Sequence, residues 1–343
     1  AITIDSNGND FQNQADDYIV DYDTEGQGIN IVFSGSTNGW IPNSDIANAL
    51  TPVAPSNQQA IFAYGDDASD YVSMSNKVNS SGVVAADVSG VGTARKYLAA
   101  SGYGGDKAIF GFGYTGSNVS LKNLVNNSGV IAADATGVGT ARRGLAATGY
   151  DTDKAIFGFG QISGYTAVTN KVSNSGVVAS DTSGVGTVRA YISAARYGTD
   201  KAIFAYGVVS GSYKSMSNLV SNSGTVASDV TGVGTARSAM GSAGYGDDKA
   251  IFAYGYTGSY ISLKNLVSNE GVVAADVTGV GTDRGQLGAS TYGADKAIFA
   301  YGDVGSDNVT SVSNLVTNLG VVGTDVTGVG TARYGLKAAT FST

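Results

Sequence analysis

Hydrophobic positions along most of the chain fall in short runs that alternate with polar positions. One stretch holds an apolar run at 97–104, then KAIFGFG from Lys107, an alternating VSLKNLV from Val119 and GVIAADATG from Gly129. The runs are short, rich in Val, Ile, Phe and Tyr, and separated by Gly, Ser, Asn and Asp, which is typical of β-strands joined by turns. No unit has a helical apolar period of comparable length. The pattern predicts an all-β fold with four short strands in each unit.

The four-strand unit recurs at a nearly constant spacing. The Phe of its AIF motif returns after 48, 47, 47, 48 and 47 residues, at Phe62, Phe110, Phe157, Phe204, Phe252 and Phe299. Each copy continues into a stretch like NLVNNSGVIAADATGVGTAR that ends in Arg. A four-stranded repeat of about 40 to 50 residues is typical of a β-propeller blade, because each sheet buries its two faces only by stacking on its neighbours. The repeats therefore predict a β-propeller.

The remaining segments bear on the number of blades. Residues 46–333 contain the six repeats, residues 1–45 diverge from them, and residues 334–343 match a first strand that no second strand follows. Within the divergent segment, residues 16–26 resemble a second strand. We therefore expect a single propeller domain over 1–343 with seven blades, the last one closed by both ends of the chain. The alternative is six blades with a separate N-terminal arm or attachment segment.

The repeat has features in common with a known family. The order of an Arg, a first strand, KAIFGFGYTG and NLVNNSGVI resembles kelch repeats, in which an apolar second strand ends in glycine. Two departures are clear: an aromatic residue and a single glycine, as at Tyr64 and Gly65, replace the paired glycines, and the fourth-strand Trp is kept only at Trp40. The resemblance covers nearly the whole chain and implies the propeller fold more strongly than any kelch partner.

A second resemblance concerns lineage. The nearly identical tandem units, together with GINIVFSGSTNGWIP over 28–42, resemble repeat proteins of tailed phages and aquatic viruses, including phage tail proteins. This resemblance implies a tail- or fibre-associated appendage, located in the virion or at an extracellular or cell surface. The partners it implies are other virion or filament subunits, with a host surface glycan or protein as ligand.

Composition excludes many kinds of active site. The chain has no Cys and no His, so it has no disulfide, no cysteine nucleophile, no Ser-His-Asp triad and no histidine-based zinc or copper site. Nothing marks a particular pair of Asp as the two carboxylates of a glycosidase. We therefore expect a protein that is not an enzyme and carries no cofactor, with a propeller glycosidase as the enzymatic alternative.

Charge and hydropathy limit the partners further. The net charge of −8 disfavours binding to nucleic acid, whose phosphates such a surface repels. No run of about eighteen apolar residues is present, so we expect no membrane insertion. The start at Ala1 rather than Met is compatible with the removal of a leader.

Two polar positions recur in every repeat and suggest a ring. A binding hypothesis makes the Asp positions Ca²⁺ ligands or the lining of a channel, because hard cations prefer several oxygen ligands. The structural interpretation, which we favour, is that each Asp accepts N–H bonds from the TGVG turn that follows it and pairs with the Arg eight residues on. The positions are Asp87, Asp134, Asp181, Asp229, Asp276 and Asp325, and Arg95, Arg142, Arg189, Arg237, Arg284 and Arg333.

The copies differ mainly in two segments, the loop after the second strand and the residues just after each Arg. In a four-stranded blade both segments emerge on one face, and binding is normally carried by such loops. The loops are rich in Tyr, which offers a flat ring with a hydroxyl to a sugar or a protein. Neutral variation of exposed loops is the alternative explanation. The candidate ligand-binding residues are Tyr71, Tyr114, Tyr165, Tyr213, Tyr256 and Tyr260.

These observations favour a virion structural and binding protein that presents the variable loops to a glycan or a neighbouring subunit. The runner-up is a secreted or cell-surface lectin or adhesin of bacterial origin.

Overall fold

The computed structural model describes residues 2–3, 21–22, 31–35, 39–42, 58–306 and 308–342. Contacts divide the chain into two units, 1–56 and 57–343. Of the second strand predicted at 16–26, only residues 21 and 22 are described, and the rest of that prediction lies outside the described residues. The described part is all-β, with small antiparallel sheets throughout, and it contains no helix that could cross a membrane.

The N-terminal unit contributes two short strand pairs. The strand β1 (Ile2–Thr3) pairs with β2 (Asp21–Tyr22), and β3 (Ile31–Phe33) pairs with β4 (Trp40–Pro42), both antiparallel. The Phe33 and Trp40 rings, which are cross-strand partners, lie 5.3 Å apart between centroids. Aromatic cross-strand pairs of this kind stabilise two-stranded sheets.

The second unit is built from six antiparallel sheets of three strands, numbered I to VI here. A two-residue hairpin, β15 (Val208–Val209) with β16 (Ser212–Tyr213), extends from sheet IV. The six sheets, in strand order, are I, β24 (Lys337–Ser342), β5 (Gln58–Ala63) and β6 (Ser75–Val78); II, β7 (Ala99–Tyr103), β8 (Lys107–Tyr114) and β9 (Asn118–Val125); III, β10 (Ala146–Tyr150), β11 (Lys154–Gln161) and β12 (Tyr165–Val172); IV, β13 (Ser193–Tyr197), β14 (Lys201–Ala205) and β17 (Ser217–Val220); V, β18 (Gly241–Tyr245), β19 (Lys249–Ala253) and β20 (Lys264–Val267); and VI, β21 (Gly288–Tyr292), β22 (Lys296–Gly305) and β23 (Asn308–Val316).

The predicted fourth strand is present only as an outer segment held by isolated bridges. In sheet I, Val84 bridges to Val78 and Val88 bridges to Ser75. The same two bridges recur in the other five sheets. Each repeat thus folds as three strands plus an irregular edge, because the Gly, Ala and Asp of this segment favour turns over a regular strand.

The C-terminal strand completes sheet I. Its residues pair in register with β5, from Lys337 opposite Ala63 to Ser342 opposite Gln58. The prediction that the last ten residues close a blade with the divergent N-terminal segment is therefore wrong in its choice of partner. The strand binds the first explicit repeat, where it takes the first-strand position beside β5 and β6.

Two cycles of backbone hydrogen bonds connect the six sheets. The first cycle involves the second residue after each Arg. The N–H of each of these residues donates to the carbonyl of its equivalent in the preceding repeat over 2.6–2.9 Å. The cycle runs through Tyr97, Gly144, Tyr191, Ala239, Gln286 and Gly335 and returns to Tyr97. The second lies at the other end of the first strands, where N–H groups at Gly104, Asp151, Gly198, Gly246, Gly293 and Ser342 donate to carbonyls of the next sheet over 2.6–3.0 Å. Both cycles return to their starting sheet.

The hydrophobic core lies between neighbouring sheets. The AIF residues of every second strand are fully buried, as at Ile61 and Phe62. Sheet I packs on sheet II through Ile61, Phe110 and Phe341, and equivalent clusters fill the other five junctions. Each sheet thus buries both faces against its neighbours, which explains why the second strands are continuous apolar runs.

Candidate functional site

The Arg at the end of each repeat is completely buried between two sheets. The guanidinium carbon of Arg95 lies 4.1 Å above the ring of Tyr64, which follows β5. Its Nε donates to the Phe112 carbonyl of sheet II at 2.9 Å, and its Nη2 donates to Asn123 Oδ1 at 2.7 Å. Arg333 makes the same contacts between sheets VI and I. The six Arg therefore clamp each sheet to the next one.

A buried Asn and the recurring Asp complete this arrangement. Asn123 Nδ2 donates to Asp134 Oδ1 at 2.9 Å, and the Thr93 N–H donates to Asp134 Oδ2 at 2.9 Å. Asp134 Oδ1 lies 3.8 Å from Arg95 Nη1. We call the equivalent groups of all six junctions the Arg-Asn-Asp layer: the Arg and Asp named above together with Asn76, Asn123, Asn170, Asn218, Asn265 and Asn314.

The sequence interpretation paired the wrong copies of Arg and Asp. Asp87 contacts Arg333 Nη1 at 3.8 Å and accepts a hydrogen bond from the Thr331 N–H at 2.9 Å. Its expected partners were Arg95, eight residues on, and the turn that follows Asp87. The structural role was expected, but the contacts run between sheets, because the outer segment of one sheet lies beside the turn that ends the preceding repeat.

Charge in the layer is balanced although the Arg side chains are fully buried. Burial lowers the pKa of Arg142 and of Arg189 to about 10, against the opposing effect of the nearest Asp, so both stay protonated at neutral pH. Partial burial by itself raises the pKa of Asp276, but hydrogen bonds from Thr235 and Asn265 and the nearby Arg bring the net pKa below its usual value. The other five Asp behave in the same way.

The six Asp do not converge on a common point. Each is held by the Thr and Asn donors of its own junction. Within the described ranges, no three His, Cys, Asp or Glu side chains lie close enough together to hold a metal ion. Each Asp therefore helps to join two neighbouring sheets.

The aromatic residue that departs from the kelch pattern has an unusual backbone. Tyr64 has φ 66° and the following Gly65 has φ 114°. Glycine is the default residue at such angles, because a side chain there is strained. Here the ring lies under Arg95 and packs edge-on against Phe110 at 5.4 Å. The same conformation recurs at Phe112, Phe159, Tyr206, Tyr254 and Tyr301.

The two variable segments lie side by side at the first hydrogen-bond cycle. The residue after each Arg forms a bridge with the end of a second strand, as Lys96 does with Tyr114 and Arg143 with Gln161. The residue after each Arg has the same backbone bridge in all six repeats, but its side chain differs in every copy. We call this surface the variable face. The residues that follow each Arg there are Lys96, Arg143, Ala190, Ser238, Gly285 and Tyr334.

One part of the variable face combines Tyr rings with cations, and we call it the Lys96 patch. Lys96 Nζ lies 2.7 Å from Asp66 Oδ2 and 2.7 Å from the Tyr334 hydroxyl, and it lies 5.1 Å above the Tyr71 ring. The Tyr71 ring meets the Tyr114 ring edge-on at 6.3 Å. The members of the patch are Asp66, Tyr71, Lys96, Tyr97, Tyr114, Arg143, Tyr191 and Tyr334.

The aromatic rings of the Lys96 patch pack against the backbone of the first hydrogen-bond cycle. Tyr97 and Tyr191 meet edge-on at 5.3 Å. A Cβ at Gly335 would lie 3.2 Å from the Tyr97 ring, and one at Gly144 would lie 3.4 Å from the Tyr191 ring. Glycine therefore makes room for these rings at the centre of the face. Arg143 lies 4.5 Å above Tyr114, which orders the outer side of the patch.

A second group of rings forms the Tyr256 patch, made of Tyr213, Tyr256, Tyr260, Gln286 and Asp303. The Tyr213 and Tyr256 rings lie 6.0 Å apart, and Tyr256 and Tyr260 lie 4.9 Å apart. Burial and the adjacent Asp303 raise the pKa of Tyr260. This patch has no cationic side chain, so it differs chemically from the Lys96 patch.

The candidate tyrosines are thus divided among three places. Tyr71 and Tyr114 belong to the Lys96 patch, and Tyr213, Tyr256 and Tyr260 belong to the Tyr256 patch. Tyr165 pairs with Gln161 and forms no ring pair with another described residue, but it lies near Tyr191 and contributes to raising the pKa of that residue. Sequence reasoning missed Lys96, Tyr97, Arg143, Tyr191 and Tyr334. The signal was present in the pairs that follow each Arg, which differ in every copy.

Comparison with known proteins does not assign the chain to a group. No known protein family matches the sequence, and no curated protein matches it either. The resemblances to kelch repeats and to phage proteins therefore stay predictions.

Proposed function

We propose that the second unit is a six-bladed β-propeller whose blades are sheets I to VI. Both hydrogen-bond cycles support this arrangement, because each passes once through every sheet and returns to its start. The pairing of β24 with β5 supports it as well, since it joins the end of the unit to its beginning. The N-terminal unit then corresponds to the separate arm or attachment segment of the six-blade alternative.

We further propose that the protein is a non-enzymatic binding platform and that the Lys96 patch of the variable face binds a surface glycan. The observation that carries this proposal is the contrast between identical backbone contacts and different side chains at six equivalent positions. A scaffold repeated this closely needs no side-chain variation for its own stability. Variation at one face is what the presentation of a ligand-specific surface requires.

The chemistry of the Lys96 patch suits sugar rings. Tyr71 and Tyr114 are half-buried, and their hydroxyls form no hydrogen bond with a described residue. An ordered aromatic ring stacks on the apolar face of a sugar at small entropic cost, and its hydroxyl adds a polar contact. Arg143 supplies a cationic donor beside these rings, and Lys96, already bonded to Asp66 and Tyr334, has one N–H left for a ligand. A glycan with acidic or hydroxyl groups fits this combination.

In its biological setting, the protein would act as a virion appendage, as the resemblance to phage tail proteins implies. Its partners would be other virion or filament subunits through the N-terminal segment and a host surface glycan through the variable face. In the alternative, a bacterial lectin or adhesin, the same variable face would bind the glycan, and only the source of the protein would differ.

Glycan binding can be tested with the full chain on a glycan array. We expect saturable binding to a restricted set of glycans, and we expect the Tyr71→Ala/Tyr114→Ala double variant to lose at least tenfold in affinity. Tyr256→Ala is the matched control, because it removes a ring of the same face outside the Lys96 patch. Loss of binding in the control alone would move the site to the Tyr256 patch. Release of sugar products would replace the proposal with a glycosidase.

The virion assignment needs a separate experiment. Mass spectrometry of density-purified particles and of the soluble fraction from the source sample would locate peptides that contain the AIFGFG motif. Enrichment with particles is expected for an appendage. Recovery only as free protein would contradict a virion role and favour the lectin or adhesin.

A further inference from the structure

The first strands of the six sheets surround three successive cavities. A funnel of about 330 Å³ opens beside the Asp-Lys turns, at the end away from the variable face. A cavity of about 30 Å³ follows, and then one of about 20 Å³ next to Tyr97 and Tyr191. Ala338 lines the first two cavities and Lys337 lines the last two. We call these three cavities the axial channel.

Two cations break the sixfold pattern of the axial channel. At the fourth residue after each repeat's Arg, five copies have Ala, Ser or Gly and one has Lys: Ala99, Ala146, Ser193, Gly241, Gly288 and Lys337. At the seventh residue, five copies have Gly or Thr and one has Arg: Gly102, Gly149, Arg196, Gly244, Thr291 and Thr340. The fold evidently accepts small residues at both positions.

Lys337 has no counter-charge in its surroundings. Its side chain forms no hydrogen bond or ion pair with a described residue, and burial alone lowers its pKa to about 8. The other titratable groups that line the innermost cavity with Lys337 are the Tyr97 and Tyr191 phenols, which are neutral at pH 7 and whose pKa burial raises further. At neutral pH, Lys337 is therefore mostly an unpaired ammonium group inside the channel.

Arg196 is also incompletely paired. Its Nε is buried and has no hydrogen-bond partner among the described residues. Its side chain passes over Gly149, where an added Cβ would lie 3.9 Å from Arg196 Cδ. Burial lowers the Arg196 pKa, and the more distant Asp200 and Asp151 oppose this effect only in part. No described carboxylate lies within 4.0 Å of its guanidinium.

The other cations near the funnel are already compensated. Lys107 lies 2.7 Å from Asp106, Lys154 lies 2.7 Å from Asp151, and Lys249 lies 2.8 Å from Asp248. These pairs form the rim and leave little charge for a ligand. Arg196 and Lys337 are therefore the cations of the axial channel that have no described carboxylate within 4.0 Å, while Asp153 and Asp247 also line the funnel.

We propose that the axial channel binds a sugar acid, with its carboxylate against Arg196 and within the field of Lys337. An unpaired buried cation is costly, so the bound anion would remove a penalty that the free protein carries. A guanidinium presents paired donors that match a carboxylate. The hydroxyls of Ser101, Thr148 and Ser290 line the same funnel and suit the ligand's own hydroxyls. The funnel has the volume of a small-molecule site.

The proposal can be tested by calorimetric titration of the full chain at constant ionic strength. The probes are glucuronate, galacturonate and N-acetylneuraminate, with glucose as the neutral counterpart and phosphate as an inorganic anion. We expect saturable binding of at least one sugar acid and none of glucose. Arg196→Thr should weaken binding at least tenfold, and Lys337→Ala should weaken it severalfold.

The variants are chosen so that folding and binding can be separated. Thr and Ala occupy equivalent positions in other repeats, so both variants should fold, and circular dichroism checks this. Lys296→Gln is the matched control, because it removes one positive charge from a Lys-Asp pair that does not line the funnel. Absence of sugar-acid binding, binding of phosphate in its place, or unchanged affinity in folded Arg196→Thr would each overturn the proposal.

Discussion

Two adjacent residues at the end of the first repeat belong to very different regions. Arg95 is fully buried in the Arg-Asn-Asp layer, and its equivalents have the same partners in all six junctions. Lys96, one residue on, lies in the variable face, where no two of the equivalent side chains are the same. The backbone is equally regular at both positions. The difference teaches that the chain repeats the polar contacts of the layer strictly and varies the side chains at the very next position, where the partners vary as well.

The comparison has a physical basis. A buried guanidinium needs every donor satisfied, so the aromatic ring, Asn and carbonyl partners of the layer are fixed together. On the variable face the partners change together with the side chain: Lys96 bonds to Asp66 and Tyr334, whereas Arg143 bonds to Gln161, so no single set of contacts is required there. The layer should therefore be sensitive to substitution, and the variable face should be tolerant for stability but not for binding.

The largest expected effect comes from removing an Arg of the layer. Arg237→Met leaves Asn265 Oδ1 and the Tyr254 carbonyl without their donor, which should lower the free energy of unfolding by about 3–5 kcal/mol. The matched control, Arg143→Met on the variable face, should cost less than about 1 kcal/mol. Urea unfolding measures both. Equal losses in the two variants would remove the distinction between the regions.

A smaller effect is expected where a glycine meets the layer. Gly255 has φ 116°, and a Cβ there would lie 2.8 Å from the Ser238 carbonyl oxygen and 2.7 Å from the Met240 side chain. Gly255→Ala should cost about 2–4 kcal/mol, since steric overlap adds to backbone strain. Gly258 is the control, because it has φ 111° with open space around its Cβ position. Thermal unfolding should show the larger loss for Gly255→Ala.

The spacing of the repeats made most of the strand arrangement predictable. Alternation and the return of the AIF motif indicated the all-β sheets and placed β8 and β11 correctly. The partner of the C-terminal strand was mispredicted, because chain length shows that a strand is missing but not which sheet lacks it. The second strand of the first repeat begins at Gln58, and its pairing with β24 shows which sheet the last strand completes.

The sequence predicted that Asp and Arg of the Arg-Asn-Asp layer contact each other, but it did not predict which copies form the pairs. Asp87 and Arg95 recur together in every copy, so a contact within one copy and a contact between copies leave the same periodic pattern. The side-by-side packing of sheets decides between them. The buried Asn was detectable, since it occupies one position in all six repeats, whereas the grouping of Tyr71 with Lys96 depends on loop geometry that the sequence does not encode locally.

Acid should weaken the layer selectively. Because the folded-state pKa of Asp276 is lowered, its contribution to stability is present above the unfolded pKa of about 4 and is lost as pH falls through the lower folded value. Asp276→Asn should cost about 1–2 kcal/mol at pH 7. The free energy of unfolding of the Asp276→Asn variant should also decline less than that of the wild type between pH 5 and about 2. Guanidinium unfolding across this range measures both quantities. A parallel decline would show that Asp276 is not part of the acid response.

The smallest effect concerns a position that the repeats themselves have varied. The Tyr206 hydroxyl donates to the Val233 carbonyl at 3.2 Å, whereas Phe112 and Phe159 occupy the same position without a hydroxyl. Tyr206→Phe should therefore cost no more than about 1 kcal/mol. Differential scanning calorimetry would detect this change. A loss as large as that of Arg237→Met would mean that the hydroxyl, and not the ring beneath the Arg, holds the junction.

The closure of the six sheets by the C-terminal strand can be tested most directly by a disulfide in this cysteine-free chain. Ala60 and Thr340 are directly paired across β5 and β24, and cross-strand partners lie close enough for a disulfide to form. Oxidation of the Ala60→Cys/Thr340→Cys variant should give an intramolecular link, found by mass spectrometry of the unreduced peptides. Failure to form this link under native conditions, with ready linkage in Asp21→Cys/Thr340→Cys, would contradict closure through sheet I and restore the pairing with the N-terminal segment.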